Sequence, residues 1–283
     1  MSTCNCENSL LITFNTYYNQ VELKRCCWSE PIVVKSIKDF LKIKDIFNYG
    51  ISIKNTPKHN SEGCHGDCSQ VSEFIDTVQV AILRNCNLNC YHCIAGTNHH
   101  LDTALMRKID EFCLKNLKGH HIKLLKLTNV GEILVYYNNL IKYLISIDKN
   151  DFENIEILTN GTLLDDERLS TLKDISNLTN INYIFRYSID AISESTYKKT
   201  RVGGDFNKVL HNIEKTIELF GLDNIFISFT IKKSNRDEAL LFHQFYKEKF
   251  KINDKHLYLN YDLTTQDPND ILIYNQALKK LNN

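Results

Sequence analysis

Two patterns of spacing between apolar residues alternate along this chain after residue 74. Short apolar runs rich in β-branched residues predict strands, and the stretches between them repeat apolar residues every three to four positions, as amphipathic helices do. The six strands are predicted at Thr77–Leu83, Ile122–Leu127, Ile155–Leu158, Asn182–Ser188, Ile225–Ile231 and His256–Tyr261.

Local signals support the helices between these strands. Asp102–Lys118 is followed by Gly119, which suits the position just after a helix. Asp165 can cap the next helix, and another apolar face begins at Phe206 and stops before Gly221. Alternating strands and helices predict an α/β fold with a parallel sheet. The pattern alone leaves a doubly wound open sheet as the alternative to a barrel.

The N-terminal part of the chain has a different pattern. Alternation in Leu10–Phe14 and in Val21–Leu23, around a polar turn at Asn15–Asn19, predicts a β-hairpin. A helical stretch is predicted around Ile37–Phe47. Nine of the ten cysteines precede residue 94, and six of them precede residue 73. We therefore expect a cysteine-rich domain at residues 1–73 and an α/β domain at residues 74–283.

Charge and hydropathy exclude some classes of protein. The 283 residues carry a formal net charge of zero, which lacks the basic excess of a nucleic-acid binder. No apolar run approaches the roughly 20 residues of a membrane span. The first residues show neither the basic nor the apolar segment of a secretory signal, so a cytoplasmic protein is expected. In a reducing compartment, ten cysteines indicate metal ligands before disulfides.

Three cysteines lie close together just after the first predicted strand of the α/β domain. Cys86, Cys90 and Cys93 form a C-x3-C-x2-C loop. Three thiolates on one short loop favour a soft metal or an iron–sulfur cluster. A structural zinc site completed by a histidine is the simpler alternative. The spacing argues against it, because structural zinc loops usually pair C-x2-C with a second, distant pair.

This loop resembles the signature of the radical S-adenosylmethionine (radical SAM) enzymes. The resemblance implies a partial (β/α)6 barrel and a four-iron, four-sulfur (4Fe-4S) cluster on Cys86, Cys90 and Cys93. S-adenosylmethionine would chelate the fourth iron through its amine and carboxylate. One electron, from a reductant such as flavodoxin or ferredoxin, would cleave it to a 5′-deoxyadenosyl radical.

Residues at later strand ends also resemble the family's cofactor motifs. Gly131 and Glu132 match the second glycine and the glutamate of its Gly-Gly-Glu-Pro turn, which holds the amino group of S-adenosylmethionine, although Val130 and Ile133 replace the first glycine and the proline. Asn160 belongs to a Thr-Asn-Gly turn that is common in the family. Each motif has a simpler interpretation, a solvated carboxylate for Glu132 and ordinary turn chemistry for Asn160.

Two further cofactor residues follow in the sequence. Ser188 lies in a Ser-Ile-Asp segment that resembles the family's Ser-(apolar)-Asp-Gly, with Ala191 in place of the glycine. The resemblance implies that Ser188 reaches the ribose or carboxylate of the cofactor, while Asp190 orders the turn. Arg201 matches the arginine that pairs with the methionine carboxylate, and guanidinium suits a carboxylate well. A surface arginine is the alternative.

The N-terminal cysteines resemble the auxiliary-cluster module called SPASM, in which cysteines flank a hairpin and a late pair closes the cluster. Here the module would precede the barrel. The resemblance implies a second 4Fe-4S cluster, and a structural zinc site on the same thiolates is the alternative. The favoured ligands are Cys4, Cys26, Cys64 and Cys68, for which Cys6 or Cys27 could substitute.

The expected function is therefore hydrogen abstraction from a substrate by a radical SAM enzyme. The substrate in similar enzymes is often a ribosomal peptide, and others modify sugars or small metabolites. Whether the outcome is oxidation, transfer or isomerisation is left open, since all start from the same radical. A non-catalytic iron–sulfur or zinc protein is the alternative from another class, and Glu132, Ser188 and Arg201 argue against it because a structural cluster needs no cofactor pocket.

Overall fold

The structure is a computed structural model of the chain. It describes residues 9–15, 20–24, 31–52, 75–83, 86–90, 93, 103–261 and 267–281. The predicted turn at residues 16–19 lies outside the described residues, and so do all the cysteines of the predicted auxiliary cluster: Cys4, Cys6, Cys26, Cys27, Cys64 and Cys68. The second cluster and the domain boundary at residue 73 therefore stay predictions.

The described residues form alternating strands and helices. The strands are β1 (Ser9–Asn15), β2 (Gln20–Lys24), β3 (Ile32–Val34), β4 (Thr77–Leu83), β5 (Ile122–Val130), β6 (Phe152–Thr159), β7 (Asn182–Ser188), β8 (Ile225–Ile231) and β9 (Leu257–Tyr261). The helices are α1 (Ile37–Phe40), α2 (Ile46–Ser52), α3 (Thr103–Leu117), α4 (Tyr137–Leu144), α5 (Asp166–Thr179), α6 (Glu194–Thr200), α7 (Phe206–Phe220), α8 (Arg236–Ala239), α9 (Phe242–Phe250) and α10 (Pro268–Leu281). Short 3-10 turns cover Ile133–Tyr136, Leu222–Asn224 and Asp254–His256.

The predicted α/β fold with a mostly parallel sheet is confirmed. Strands β4, β7 and β8 have the predicted bounds, and β5, β6 and β9 differ from them only at their ends. The cap of α5 is as predicted, because the Asp165 carboxylate accepts a hydrogen bond from the Arg168 backbone N–H at 3.0 Å. Hydrophobic periodicity predicted these strands and this helix correctly, because the local secondary-structure preferences of the residues agree with the way the elements pack in the fold.

One helix prediction is wrong. The stretch Ile37–Phe47 is interrupted, and it gives α1 and the start of α2. Ser36 caps α1 by accepting a hydrogen bond from the Asp39 backbone N–H. Asp45 then accepts a hydrogen bond from the Asn48 backbone N–H at 2.9 Å, which is the pattern of a second N-terminus. Two caps within one apolar stretch favour two short helices over one.

The chain divides into two compact units, and the first comprises residues up to 85, 98–157 and 175–183. Its strands lie in the order β3-β2-β1-β4-β5-β6. The β1–β2 and β2–β3 pairs are antiparallel, so the paired strands of the predicted hairpin are present, and β1–β4, β4–β5 and β5–β6 are parallel. Phe40 of α1 packs between Phe14 and Phe112, with ring centroids 5.5 Å and 5.2 Å away.

The second unit comprises residues 86–97, 158–174 and 184–283. Parallel strands β7, β8 and β9 lie side by side in it. One face of β7 packs against α7, where the Tyr187 hydroxyl lies 2.5 Å from Thr216 Oγ1 and the Phe185 ring packs against Phe220. Successive strand residues point to opposite faces, so Ser188 lies on the face of β7 turned away from α7.

None of the helices in the described part of the chain is both long and apolar enough to cross a membrane.

Candidate active site around the cysteine loop

The cysteine loop belongs to the second unit, and the segment that follows α6 in that unit holds part of it. The buried Leu88 side chain anchors the middle of the loop. The Asn89 backbone N–H donates a hydrogen bond to the Val202 carbonyl at 2.9 Å, and the Leu88 backbone N–H donates to Cys86 Sγ at 3.4 Å. The loop backbone is thus fixed by the segment that follows α6 and by one of its own thiols.

The three thiols differ in their exposure. Cys90 is buried, Cys86 is half-buried and Cys93 is exposed. Burial raises the pKa of the Cys90 thiol, the Arg201 charge opposes that shift, and the neighbouring Cys86 and Cys93 add to it. The pKa of Cys90 therefore stays above its ordinary value, and the Arg201 charge offsets part of the effect of burial.

The three thiols can serve a 4Fe-4S cluster, because such a cluster takes each thiolate on a different iron. Within the ranges that the structure describes, no group of three or more His, Cys, Asp or Glu side chains is arranged around one metal position.

Arg201 lies beside the loop and is the centre of a polar network. Its Nη2 donates to Ser188 Oγ and to Asp190 Oδ2, both at 2.6 Å, and its Nη1 lies 4.0 Å from Cys90 Sγ. Burial lowers its pKa, but Asp190 and Cys90 more than offset that, so the pKa lies above the ordinary value. Arg201 Nε is buried and has no hydrogen-bond partner among the described residues. Arg201 therefore stays charged, and its Nε is a donor that none of the described residues uses.

Asp190 is held by backbone contacts as well as by Arg201. Its φ of 58° is left-handed, a conformation that Asp and Asn tolerate better than most residues. Its Oδ1 accepts a hydrogen bond from the Thr230 backbone N–H at 2.7 Å, and Asn235 Nδ2 donates to its carbonyl at 2.9 Å. Asp190 thus orders the turn, and it also supplies the counter-charge of Arg201, which the sequence analysis did not foresee.

Asn160 lies at the carboxyl end of β6, on the other side of the loop. Its Nδ2 lies 3.7 Å from Cys86 Sγ and donates to Asn87 Oδ1 at 3.1 Å. The Asn87 amide donates in turn to Thr162 Oγ1 at 2.7 Å. The sequence did not identify Asn87 or Thr162 as site residues. Neither belongs to a recognised motif, and the available signal is that Asn87 directly follows Cys86 and Thr162 directly follows the Thr-Asn-Gly turn.

The remaining two predicted site residues belong to the first unit. Gly131 has a φ of 141°, and Glu132 is fully buried. Glu132 caps the 3-10 turn Ile133–Tyr136, where its Oε1 accepts a hydrogen bond from the Leu134 backbone N–H at 3.1 Å. The structure thus brings Cys86, Cys90, Asn160, Ser188 and Arg201 together in the second unit, and it gives Glu132 a capping role in the first.

The α/β fold and the C-x3-C-x2-C loop are together typical of a protein that binds an iron–sulfur cluster. Comparison with known families agrees, since the family described as "Radical SAM superfamily" matches residues 80–245, more than half of the chain. The chain belongs to the radical SAM superfamily. The expectation of an enzyme is thereby confirmed, and the family implies a 4Fe-4S cluster and S-adenosylmethionine.

Curated relatives match part of the chain at low sequence identity. A "Probable GTP 3',8-cyclase" from Saccharolobus solfataricus is 26% identical over 184 residues, which cover 65% of this chain and 56% of the relative. One from Methanococcus aeolicus is 30% identical over 162 residues, covering 56% of this chain and 50% of the relative. The chain thus spans about half the length of the curated relatives it matches.

A solved structure was also found to be similar. HydG, a maturase of the FeFe-hydrogenase, aligns with a TM-score of 0.44 and 14% identity, over 65% of this chain and 42% of HydG.

Proposed function

We propose that the chain binds a 4Fe-4S cluster on Cys86, Cys90 and Cys93 and S-adenosylmethionine beside it, and that it abstracts hydrogen from a substrate. The observation that carries the proposal is the charged, buried Arg201, which lies between Cys90 and Ser188 and whose Nε has no hydrogen-bond partner among the residues that the structure describes. A structural cluster has no need of such a group. A buried guanidinium with a spare donor next to a cluster loop suits the carboxylate of a ligand.

The cofactors supply the difficult chemistry. When bound and reduced, the cluster would supply the electron that cleaves the sulfonium of S-adenosylmethionine to methionine and a 5′-deoxyadenosyl radical. The protein residues bind S-adenosylmethionine and orient it. Arg201 attracts the methionine carboxylate, and Ser188 offers a hydroxyl beside it, since Ser188 Oγ lies 2.6 Å from Arg201 Nη2. Gly131 and Glu132 stay proposed cofactor-binding residues on the strength of the family resemblance. Binding in a fixed orientation lowers the entropic cost of the reaction.

The direct test is cofactor cleavage. Anaerobically reconstituted protein, reduced with dithionite, should convert S-adenosylmethionine to 5′-deoxyadenosine and methionine, measured by chromatography. Cys90→Ala should abolish the product because two thiolates cannot hold the open-site cluster. Cys113→Ala is the matched control, since Cys113 is a buried cysteine of α3 outside the loop. A wild-type protein that yields only S-adenosylhomocysteine would refute the proposal and indicate ordinary methyl transfer.

The N-terminal cysteines support a second, auxiliary 4Fe-4S cluster in a SPASM-like module, with Cys4, Cys26, Cys64 and Cys68 as proposed ligands. Iron analysis tests this. Two clusters correspond to about eight irons per chain, and replacing Cys86, Cys90 and Cys93 together should leave about four. Saturation of the wild type at about four irons with one zinc would contradict the second cluster and would leave the first one standing.

A peptide is the proposed substrate if the auxiliary cluster is present, because enzymes that resemble this arrangement often modify ribosomal peptides. A purine nucleoside triphosphate is the second candidate, and the similarity to "Probable GTP 3',8-cyclase" proteins favours it. Adding GTP to the reduced enzyme separates the two. Faster formation of 5′-deoxyadenosine with GTP supports a nucleotide, and an unchanged slow rate argues against GTP.

Two conditions of the reaction are also proposed. The cluster needs a one-electron donor, and a small reductant such as flavodoxin or ferredoxin would serve. An open-site cluster survives best in a reducing compartment, which favours the cytoplasm.

A further inference from the structure

Three side chains join the cysteine loop to the carboxyl end of β6, and they form a closed ring of hydrogen bonds. Asn160 Nδ2 donates to Asn87 Oδ1 at 3.1 Å, Asn87 Nδ2 donates to Thr162 Oγ1 at 2.7 Å, and Thr162 Oγ1 donates to Asn160 Oδ1 at 2.6 Å. We name Asn87, Asn160 and Thr162 the amide clasp. Because each member bonds the other two, the loss of one weakens the whole ring.

Asn160 uses its full bonding capacity inside the protein. Its Oδ1 accepts from the Thr162 backbone N–H at 2.9 Å and from Thr162 Oγ1, and its Nδ2 faces Asn87 Oδ1 and Cys86 Sγ. A side-chain amide has two donor hydrogens and two acceptor lone pairs. These four contacts account for all of them, and the side chain is 5% exposed. A direct hydrogen bond to S-adenosylmethionine would require Asn160 to give up one of these contacts.

The clasp rests on a rigid base. Gly161 has a φ of 78°, and its carbonyl accepts a hydrogen bond from buried Asn212 Nδ2 of α7 at 2.7 Å. A Cβ at this position would lie 2.7 Å from the Tyr187 ring, so the turn fits tightly against β7. Asn160 and Thr162 are therefore placed by α7 and β7, and they transmit that placement to the loop through Asn87.

The contact with Cys86 has a chemical consequence. An N–H group directed at a cysteine sulfur stabilises the more negative state of a cluster, and hydrogen bonds to the sulfurs are among the factors that set its reduction potential. Groups that orient metal ligands in this way commonly contribute about ten- to a hundredfold in affinity or activity.

We propose that Asn160, together with Asn87 and Thr162, is a positioning residue for the iron–sulfur cluster rather than a ligand of S-adenosylmethionine. The clasp holds the cluster loop on the end of β6, and the Asn160 amide raises the reduction potential of the cluster through Cys86. The inference rests on the proposed function, because it assumes that Cys86, Cys90 and Cys93 hold the cluster.

The test compares two variants with the wild type after anaerobic reconstitution. Asn160→Leu keeps the approximate size of the side chain and removes all four contacts, and Asn87→Ala opens the ring at an exposed residue whose loss does not threaten folding. Asn89→Ala is the matched control, since this exposed neighbour in the same loop is bound through its backbone N–H. Three quantities are measured: the rate of iron loss to a chelator, the midpoint potential by electron spin resonance, and the affinity for S-adenosylmethionine from its effect on that resonance.

We expect both clasp variants to lose iron about ten- to a hundredfold faster than the wild type and the control. The midpoint potential should become more negative in Asn160→Leu and should change less in Asn87→Ala, which keeps the amide at Cys86. The affinity of the intact clusters for S-adenosylmethionine should stay within about threefold of wild type.

Two results would overturn the inference. One is iron loss at the wild-type rate in Asn87→Ala, which does not depend on whether Asn160→Leu folds. The other is an Asn160→Leu protein with unchanged iron loss and potential but about tenfold weaker cofactor binding, which would make Asn160 a cofactor ligand. Failure of the proposed function looks different, because the wild type itself would then form no cluster that responds to S-adenosylmethionine.

Discussion

Arg201 and Asp190 form a buried ion pair, with 2.6 Å between Nη2 and Oδ2 and with only 12% and 1% of the two side chains exposed. Asp190 is in turn fixed by the Thr230 backbone N–H. A charge in this setting depends on its partner, since the protein interior solvates it poorly. The pair therefore fixes the direction of the guanidinium toward Ser188 and Cys90, before any ligand is bound.

Removing the Arg201 charge should destabilise the protein strongly. Arg201→Met leaves the Asp190 carboxylate buried without its counter-charge, and breaking such a pair costs about 3–5 kcal/mol. The measurement is the free energy of unfolding of the reconstituted protein in urea. Lys198→Met is the control, because Lys198 and Glu194 form a pair with 67% and 51% of their side chains exposed. Solvent screens such an exposed helical pair, so Lys198→Met should lower the free energy of unfolding much less than Arg201→Met. Equal losses in the two variants would show that Asp190 is compensated by other groups.

The features of this site that depend on residues close together in the sequence could be predicted from the sequence. The spacing of Cys86, Cys90 and Cys93 is a property of one loop, and the strand ends that carry Asn160 and Ser188 follow from hydrophobic periodicity. The helix break between α1 and α2 was missed, although Ser36 and Asp45 are typical N-cap residues, because the apolar pattern continues across it.

Contacts between segments that are distant in the sequence could not be predicted from it. The pairing of Arg201 with Asp190 and the ring of Asn87 with Thr162 depend on the left-handed turns after β6 and β7, which bring these residues together only in the folded protein. A family resemblance suggests what a ligand would contact. It does not show which protein groups already contact Arg201 or Asn160.

Two substitutions of Glu132 can distinguish its role in capping the 3-10 turn from a role in binding the cofactor. Glu132→Gln keeps an oxygen that can accept from the Leu134 backbone N–H, whereas Glu132→Ala removes the cap. Loss of an N-cap costs about 0.5–2 kcal/mol, so only the Ala variant should lower the free energy of unfolding in urea. If Glu132 also pairs with the amino group of S-adenosylmethionine, both variants should bind it roughly ten- to a hundredfold more weakly. A Gln variant that binds the cofactor like the wild type would reduce Glu132 to its capping role.

His243 should make the stability of the second unit depend on pH. Its ring is only 12% exposed, and burial lowers its pKa below the ordinary 6.5, although Asp254 partly opposes that shift. Below about pH 6.5 the unfolded chain therefore binds a proton that the folded chain does not, so the free energy of unfolding falls as the pH drops. Lys247, which bonds the same Asp254 carboxylate, also disfavours a charge on His243.

The measurement is urea unfolding between about pH 7.5 and pH 5.5. His243→Gln should reduce the loss of stability on acidification. His211→Gln is the control, since the His211 ring is 62% exposed and pairs with Asp166 on the surface. If the two variants follow the wild-type pH dependence equally, burial of His243 has no part in it.

Gly161 should tolerate a side chain poorly. Its φ of 78° is unfavourable for alanine, and the added Cβ would lie 2.7 Å and 2.8 Å from two ring carbons of Tyr187. That ring cannot easily move, because its hydroxyl is bonded to Thr216. Left-handed strain of about 1–2 kcal/mol and overpacking of about 1–3 kcal/mol should add up in Gly161→Ala.

Gly221 provides a matched comparison for this prediction. Its φ is 83°, but no atom of the described residues lies within 4 Å of a Cβ placed there, so Gly221→Ala should cost the strain alone. Unfolding in urea should therefore rank the wild type above Gly221→Ala, and Gly221→Ala above Gly161→Ala. Gly161→Ala should also lose iron faster than Gly221→Ala, since a displaced turn moves Asn160 and Thr162 away from the cysteine loop. Equal stabilities and equal iron loss in the two variants would mean that the turn after β6 can shift without cost, and the rigid base of the amide clasp would then be refuted.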